Sequence, residues 1–103
     1  MGDPSRFIGR VGELEFLYRW DIDVVVEGEH AVIAAECKNY DPENIDKITA
    51  GTVDKFIEKA GRLHKERFPD KELRLAFFSK NGFESKTESY LEAKGIVTEL
   101  RKE

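Results

Sequence analysis

His30-Ala31-Val32-Ile33-Ala34-Ala35-Glu36-Cys37-Lys38 is the stretch on which the fold turns. An apolar, partly β-branched run that ends in acid-x-Lys reads as a strand driven into a core and emerging at a charged end. Successive strand side chains face opposite sides, so Glu36 and Lys38 share one face and Cys37 takes the other. Upstream, Asp21-Ile22-Asp23-Val24-Val25-Val26-Glu27 reads as a second strand, joined to the first through Glu27-Gly28-Glu29 with Glu29 or His30 at the tip. A hairpin of the two brings Asp23, thirteen residues before Glu36, back beside it. Two carboxylates and an ammonium gathered at one sheet end are costly unless paired or used.

Outward from the hairpin, Tyr40 to Asp46 contains Pro42 and Asn44 and reads as a loop. Val53, Phe56, Ile57, Ala60, Leu63 and Phe68 then recur at helical spacing up to Pro69, which predicts a long amphipathic helix. Leu73 to Ser79 is a short apolar run suited to a buried strand. Asn81-Gly82 marks its exit, and Ser85-Lys86-Thr87-Glu88 has capping-box spacing for a second helix that Gly95 ends. Ile96 to Leu100 reads as a last strand. The order implies one antiparallel hairpin followed by two crossover units, normally right-handed, and so an α/β fold: a mixed sheet flanked by helices. Near the start, Phe7, Ile8, Val11, Leu14 and Tyr18 fit a helix face, while Leu14, Phe16, Tyr18 and Trp20 alternate as a strand does; the reading taken is a helix to about Leu17.

Composition narrows the function classes. The 103 residues fit one domain, residues 1–103, and 40% hydrophobic with 37% charged residues describe an ordinary globular chain. One cysteine excludes an intramolecular disulfide and, with two histidines, disfavours structural zinc. No apolar stretch has transmembrane length and none resembles a signal region, so the expectation is a cytoplasmic protein without a membrane partner. A net charge of -4 argues against nucleic-acid binding by bulk charge and leaves room for a local basic face.

Taken together, Ile22-Asp23-Val24-Val25 followed by Ala35-Glu36-Cys37-Lys38 resembles the paired catalytic strands of the PD-(D/E)XK, or restriction-endonuclease-like, nucleases. Ala76-Phe77-Phe78-Ser79-Lys80-Asn81-Gly82-Phe83 and Ala93-Lys94-Gly95-Ile96 are similar to the distal half of Mrr-type restriction domains and of nuclease-like domains attached to archaeal ATPases. Gly9-Arg10-Val11-Gly12-Glu13 is similar to the first-helix segment of archaeal Holliday junction resolvases and their relatives, which often supplies a further acid. Only nine residues separate Glu13 from Asp23, where family members generally place a strand. That strand is either compressed into Phe16 to Trp20 or missing.

The resemblance implies a restriction-endonuclease-like fold and a Mg²⁺- or Mn²⁺-dependent DNA endonuclease. Asp23, Glu36 and the Cys37 backbone carbonyl would hold the ion, since hard cations take oxygen ligands. Lys38 would place the attacking water or stabilise the developing charge, and Glu13 would add a ligand. Asp21 competes with Asp23, being two residues away on the same strand face. Asn39, Tyr40, Lys80 and Lys86 are the candidate nucleic-acid contacts. Cys37 reads as a small core residue, His30 as a turn residue and His64 as a helix-surface residue. Lys55, Lys59, Arg62, Lys65 and Arg67, interleaved with Asp54, Glu58 and Glu66, read first as a solvated mixed face, with contact to a DNA backbone as the alternative for some of them. The expected partners are DNA, a second copy of the chain, and an attached or separate ATPase or DNA-binding module; no P-loop lies in the chain itself. The alternative is a catalytically inactive module that keeps the fold to bind nucleic acid or protein.

Overall fold

The computed structural model describes residues 8–9 and 21–99. Four strands form one sheet in the order β1-β2-β3-β4, with β1 Ile8–Gly9, β2 Val24–Glu27, β3 Ala31–Lys38 and β4 Glu72–Ser79. The first three are antiparallel neighbours and β4 runs parallel to β3, which makes the sheet mixed. Among the described residues two helices, α1 Ala50–Arg67 and α2 Ser85–Ala93, accompany the sheet in a small mixed α/β domain.

The hairpin forms as its sequence dictates. Val24 pairs with Ala35 and Glu27 with Val32, and the turn closes with Gly28 N–H donating to Ala31 O at 2.8 Å. Both strands are shorter at their starts than expected, because Asp21 to Asp23 and His30 lie outside the ladder. The turn end is tied to the β4 approach: Lys71 Nζ donates to Glu27 Oε2 at 2.8 Å and to Gly28 O at 2.6 Å.

Alternation along β3 puts Val32 and Ala34 on one face, with Val25 and Phe77 at register positions on that same face, and all four are fully buried. Helix α1 covers them with Val53, Phe56, Ala60 and Leu63. Phe56 and Phe77 meet edge to face with centroids 5.6 Å apart, the geometry that aromatic quadrupoles favour. Leu91 of α2 and Ile96 close the same core.

Several expectations are corrected. Tyr40 to Asp46 is not plain loop: Pro42–Lys47 forms a 3-10 turn, with proline in its first turn, where a missing N–H costs no bond. The capping box sits on the other helix. Thr49 caps α1 and exchanges side-chain to backbone bonds with Thr52, whereas α2 is preceded by Glu84 without a side-chain cap. Ser85 is already helical, and the Thr87 hydroxyl, buried, donates instead to Ile48 O at 2.9 Å. The last strand reduces to one parallel bridge, Ala76 with Val97, just after Gly95 at φ +71° releases the chain from α2. Ile8 and Gly9 pair with Glu27 and Val26 as a strand, not as the start of a helix. The remainder of the expected N-terminal helix, including Glu13, and the Phe16 to Trp20 segment lie outside the described residues.

Candidate active site

Glu36 continues the buried row Val32, Ala34 at the point where β3 leaves the core. Its carboxylate therefore enters the space beneath α1, and the residue is only 8% exposed. Lys38, two residues on, projects the same way and brings Nζ to 3.3 Å from Glu36 Oε2. One step beyond the Val24 and Ala35 pair the register sets Asp23 opposite Glu36. Asp23 Oδ2 accepts the Cys37 backbone N–H at 2.8 Å, which fixes this acid against β3.

A fourth charged group comes from α1. Lys59, its side chain 19% exposed, donates to the Asp21 carbonyl at 2.8 Å and lies 3.2 Å from Asp21 Oδ2 and 4.0 Å from Glu36 Oε1. Asp21 has φ +55°, a left-handed conformation that is uncommon outside glycine and best tolerated by Asp and Asn. Lys59 pins that bend to the helix and so helps aim the chain into Asp23. The sequence reading set Lys59 among solvated charges. The signal available was its position: Lys59 adjoins buried Ala60 and stands four residues before buried Leu63, at the edge of the apolar stripe.

Between the end of β3 and the start of α1 lies a cleft of about 320 Å³ lined by Glu36, Lys38, Thr49, Gly51, Thr52, Lys55 and Lys59. A second cleft of about 340 Å³, mainly apolar, is lined by Thr49, Ala50, Gly51, Lys86, Thr87 and Tyr90. The structure thus brings Glu36 and Lys38 into the first cleft, holds Asp23 against β3 through the Cys37 N–H but outside the cleft's lining, sets Asp21 alongside through Lys59, and places Lys86 at the second cleft. Lys80 is exposed and lines neither; its backbone N–H donates to Lys38 O at 3.0 Å. Asn39 is exposed, and Tyr40 packs against the core while its carbonyl accepts from Asn81 Nδ2 at 2.6 Å.

Cys37 is exposed rather than a core residue, because the sheet face opposite α1 leaves this strand end open. Partial burial raises its thiol pKa, and the Asp23 and Glu36 carboxylates raise it further. His64 is half-buried and bonded through Nε2 to Lys71 O instead of lying free on the helix surface.

Two carboxylates on adjacent strands are hard oxygen donors of the type a divalent cation takes. Among the described residues no group of three or more His, Cys, Asp or Glu side chains is placed to hold a metal ion. Among them, too, no helix is long and apolar enough to cross a membrane. Comparison of this chain with protein-family models, with curated proteins and with solved structures gives no match.

Proposed function

We propose that this domain is a restriction-endonuclease-like nuclease that hydrolyses DNA phosphodiester bonds with Mg²⁺ or Mn²⁺. The observation that carries the reading is Asp23 bonded to the Cys37 N–H, next along the strand from Glu36, with Lys38 3.3 Å from Glu36. Asp23, Glu36 and the Cys37 carbonyl are the oxygen donors for the cation, with Glu13 as a further ligand. When bound, such an ion relieves charge on the phosphate and makes water a better nucleophile.

The chain's own residues do the rest. Lys38 directs an ammonium at the phosphate oxygens, a charge preorganised by its pairing with Glu36. Asp23 is oriented by the Cys37 N–H, so its position does not depend on a mobile side chain. Lys59 holds the Asp21 bend and shares the Glu36 charge. Two copies of the chain would present one site to each strand of a duplex, and an attached or separate ATPase or DNA-binding module would supply sequence or structure selection.

One observation favours a second reading, a nuclease-fold module that binds nucleic acid without turnover. Both Glu36 oxygens face ammonium groups, of Lys38 and Lys59, so a cation must displace or share them. Nicking of supercoiled DNA separates the two. The nuclease reading expects Mg²⁺-dependent nicking that chelator abolishes and that Glu36→Gln and Asp23→Asn each lower at least a hundredfold, with Asp21→Asn much milder. Parent protein that binds Mn²⁺ in calorimetry yet nicks nothing, at any concentration tested, supports the second reading.

A further inference from the structure

The two clefts meet. Thr49 and Gly51 belong to the walls of both, and the N-terminus of α1 stands between them. On one side Lys38, Lys55 and Lys59 line the wall with Glu36; Lys38 is paired with Glu36, and Lys59 with Asp21 beside the cleft, so three ammonium groups face two carboxylates. Lys55 and Lys59 are one turn apart on α1, and the Lys55 ammonium has no partner among the described residues. The helix adds to the positive side, because the N–H groups of Ala50 and Gly51 have no intrahelical acceptor and the macrodipole is positive here. On the other side the wall is mainly apolar, lined by Ala50, Tyr90, the buried Thr87 and the exposed Lys86, with Lys94 Nζ 5.3 Å from the Tyr90 ring centroid.

We propose that a nucleic-acid strand crosses the N-terminus of α1, its phosphodiester in the lysine cleft beside Glu36 and the adjoining nucleoside in the Tyr90 cleft. The inference takes from the proposed function only that the ligand is nucleic acid. A phosphodiester matches the one ammonium of the first cleft left without a carboxylate among the described residues, that of Lys55, and the nucleobase that follows it along a strand offers a planar face suited to an apolar wall. Gly51 is the saddle between the two, and its missing side chain leaves the crossing open. Nothing in the fold demands glycine there: an added Cβ would meet only Thr49 Oγ1, at 3.5 Å, an ordinary contact.

That gives a substitution which separates folding from binding. Gly51→Glu places a favoured acid in the first turn of α1 and removes a helical glycine, so the variant is expected to unfold at the parent's temperature or higher. The same carboxylate blocks the saddle and repels a phosphate. With a fluorescent single-stranded oligonucleotide in chelator at low salt, anisotropy should show at least a tenfold loss of affinity for Gly51→Glu. Lys55→Met should bind several-fold more weakly, with a log affinity against log salt slope shallower by about 0.7. Arg74→Met, on the sheet face away from α1, should stay within twofold of the parent. Parent-like binding by Gly51→Glu, no binding by the parent, or equal affinity for inorganic phosphate alone would each overturn the strand path. Because no divalent ion is present, a failure to cleave DNA leaves this result unaffected.

Discussion

Glu36 occupies a position where the row Val32, Ala34 prescribes an apolar side chain, and its carboxylate is kept there by Lys38 and Lys59. Burying an acid and its counter-ions costs several kcal/mol in lost hydration, only partly returned by their attraction. Under the proposed function such a group serves chemistry rather than stability. Glu36→Gln should therefore leave the thermal midpoint unchanged or raise it, whereas Lys59→Met, which strips the Asp21 carbonyl and two carboxylates of a donor, should cost about 1–3 kcal/mol in denaturant unfolding. A destabilised Glu36→Gln together with a neutral Lys59→Met would reverse this account of the charges. Asp23 and Glu36 were legible in the sequence because each stands at the end of an apolar run. Lys59 was not, because helical periodicity separates buried from exposed positions and leaves those at the border undecided.

At the scale of elements, α1 carries both the core and the floor of the cleft, so its first turn matters to both. Thr49 caps it through Thr52 N–H, and Thr49→Ala should cost about 1 kcal/mol, read by chemical denaturation. The cap was misplaced in the sequence because Ser85-x-x-Glu88 has the right spacing; Glu84 and the buried duty of Thr87 place the helix start one residue earlier. The strand and helix interiors, by contrast, follow from periodicity alone. Helices α1 and α2 are joined by the Tyr90 hydroxyl, which donates to Asp54 Oδ1. That bond favours the neutral phenol and raises the Tyr90 pKa, with desolvation and the Asp54 charge adding to it. The folded state thus holds this proton more tightly than the unfolded chain. The associated stability is complete below the unfolded tyrosine pKa of about 10 and is lost as pH rises through the higher folded value. Absorbance titration near 295 nm should show a tyrosine ionising above the usual range, absent in Tyr90→Phe and shifted down in Asp54→Asn.

Across the whole molecule, the topology explains why the charged groups meet. An antiparallel hairpin returns Asp23 to Glu36, and the parallel crossover from β3 to β4 lays α1 over the face that Glu36 and Lys38 share. The strand end leading into such a crossover is where sites gather in α/β sheets. This much could be read from residues 21 to 79. The final strand could not: Ile96 to Leu100 has the residues of a strand, but among its described residues, 96–99, only Val97 bridges to the sheet, at Ala76. The net charge of -4 does not preclude a local lysine cluster: three of the ten lysines, Lys38, Lys55 and Lys59, line the cleft between β3 and α1.

The most direct test is nicking of supercoiled DNA in Mg²⁺ by the parent and by Lys38→Met, each purified identically and each checked for Mn²⁺ binding. The account predicts that both bind the cation and that Lys38→Met loses at least a hundredfold in rate. Equal nicking by the two would contradict it.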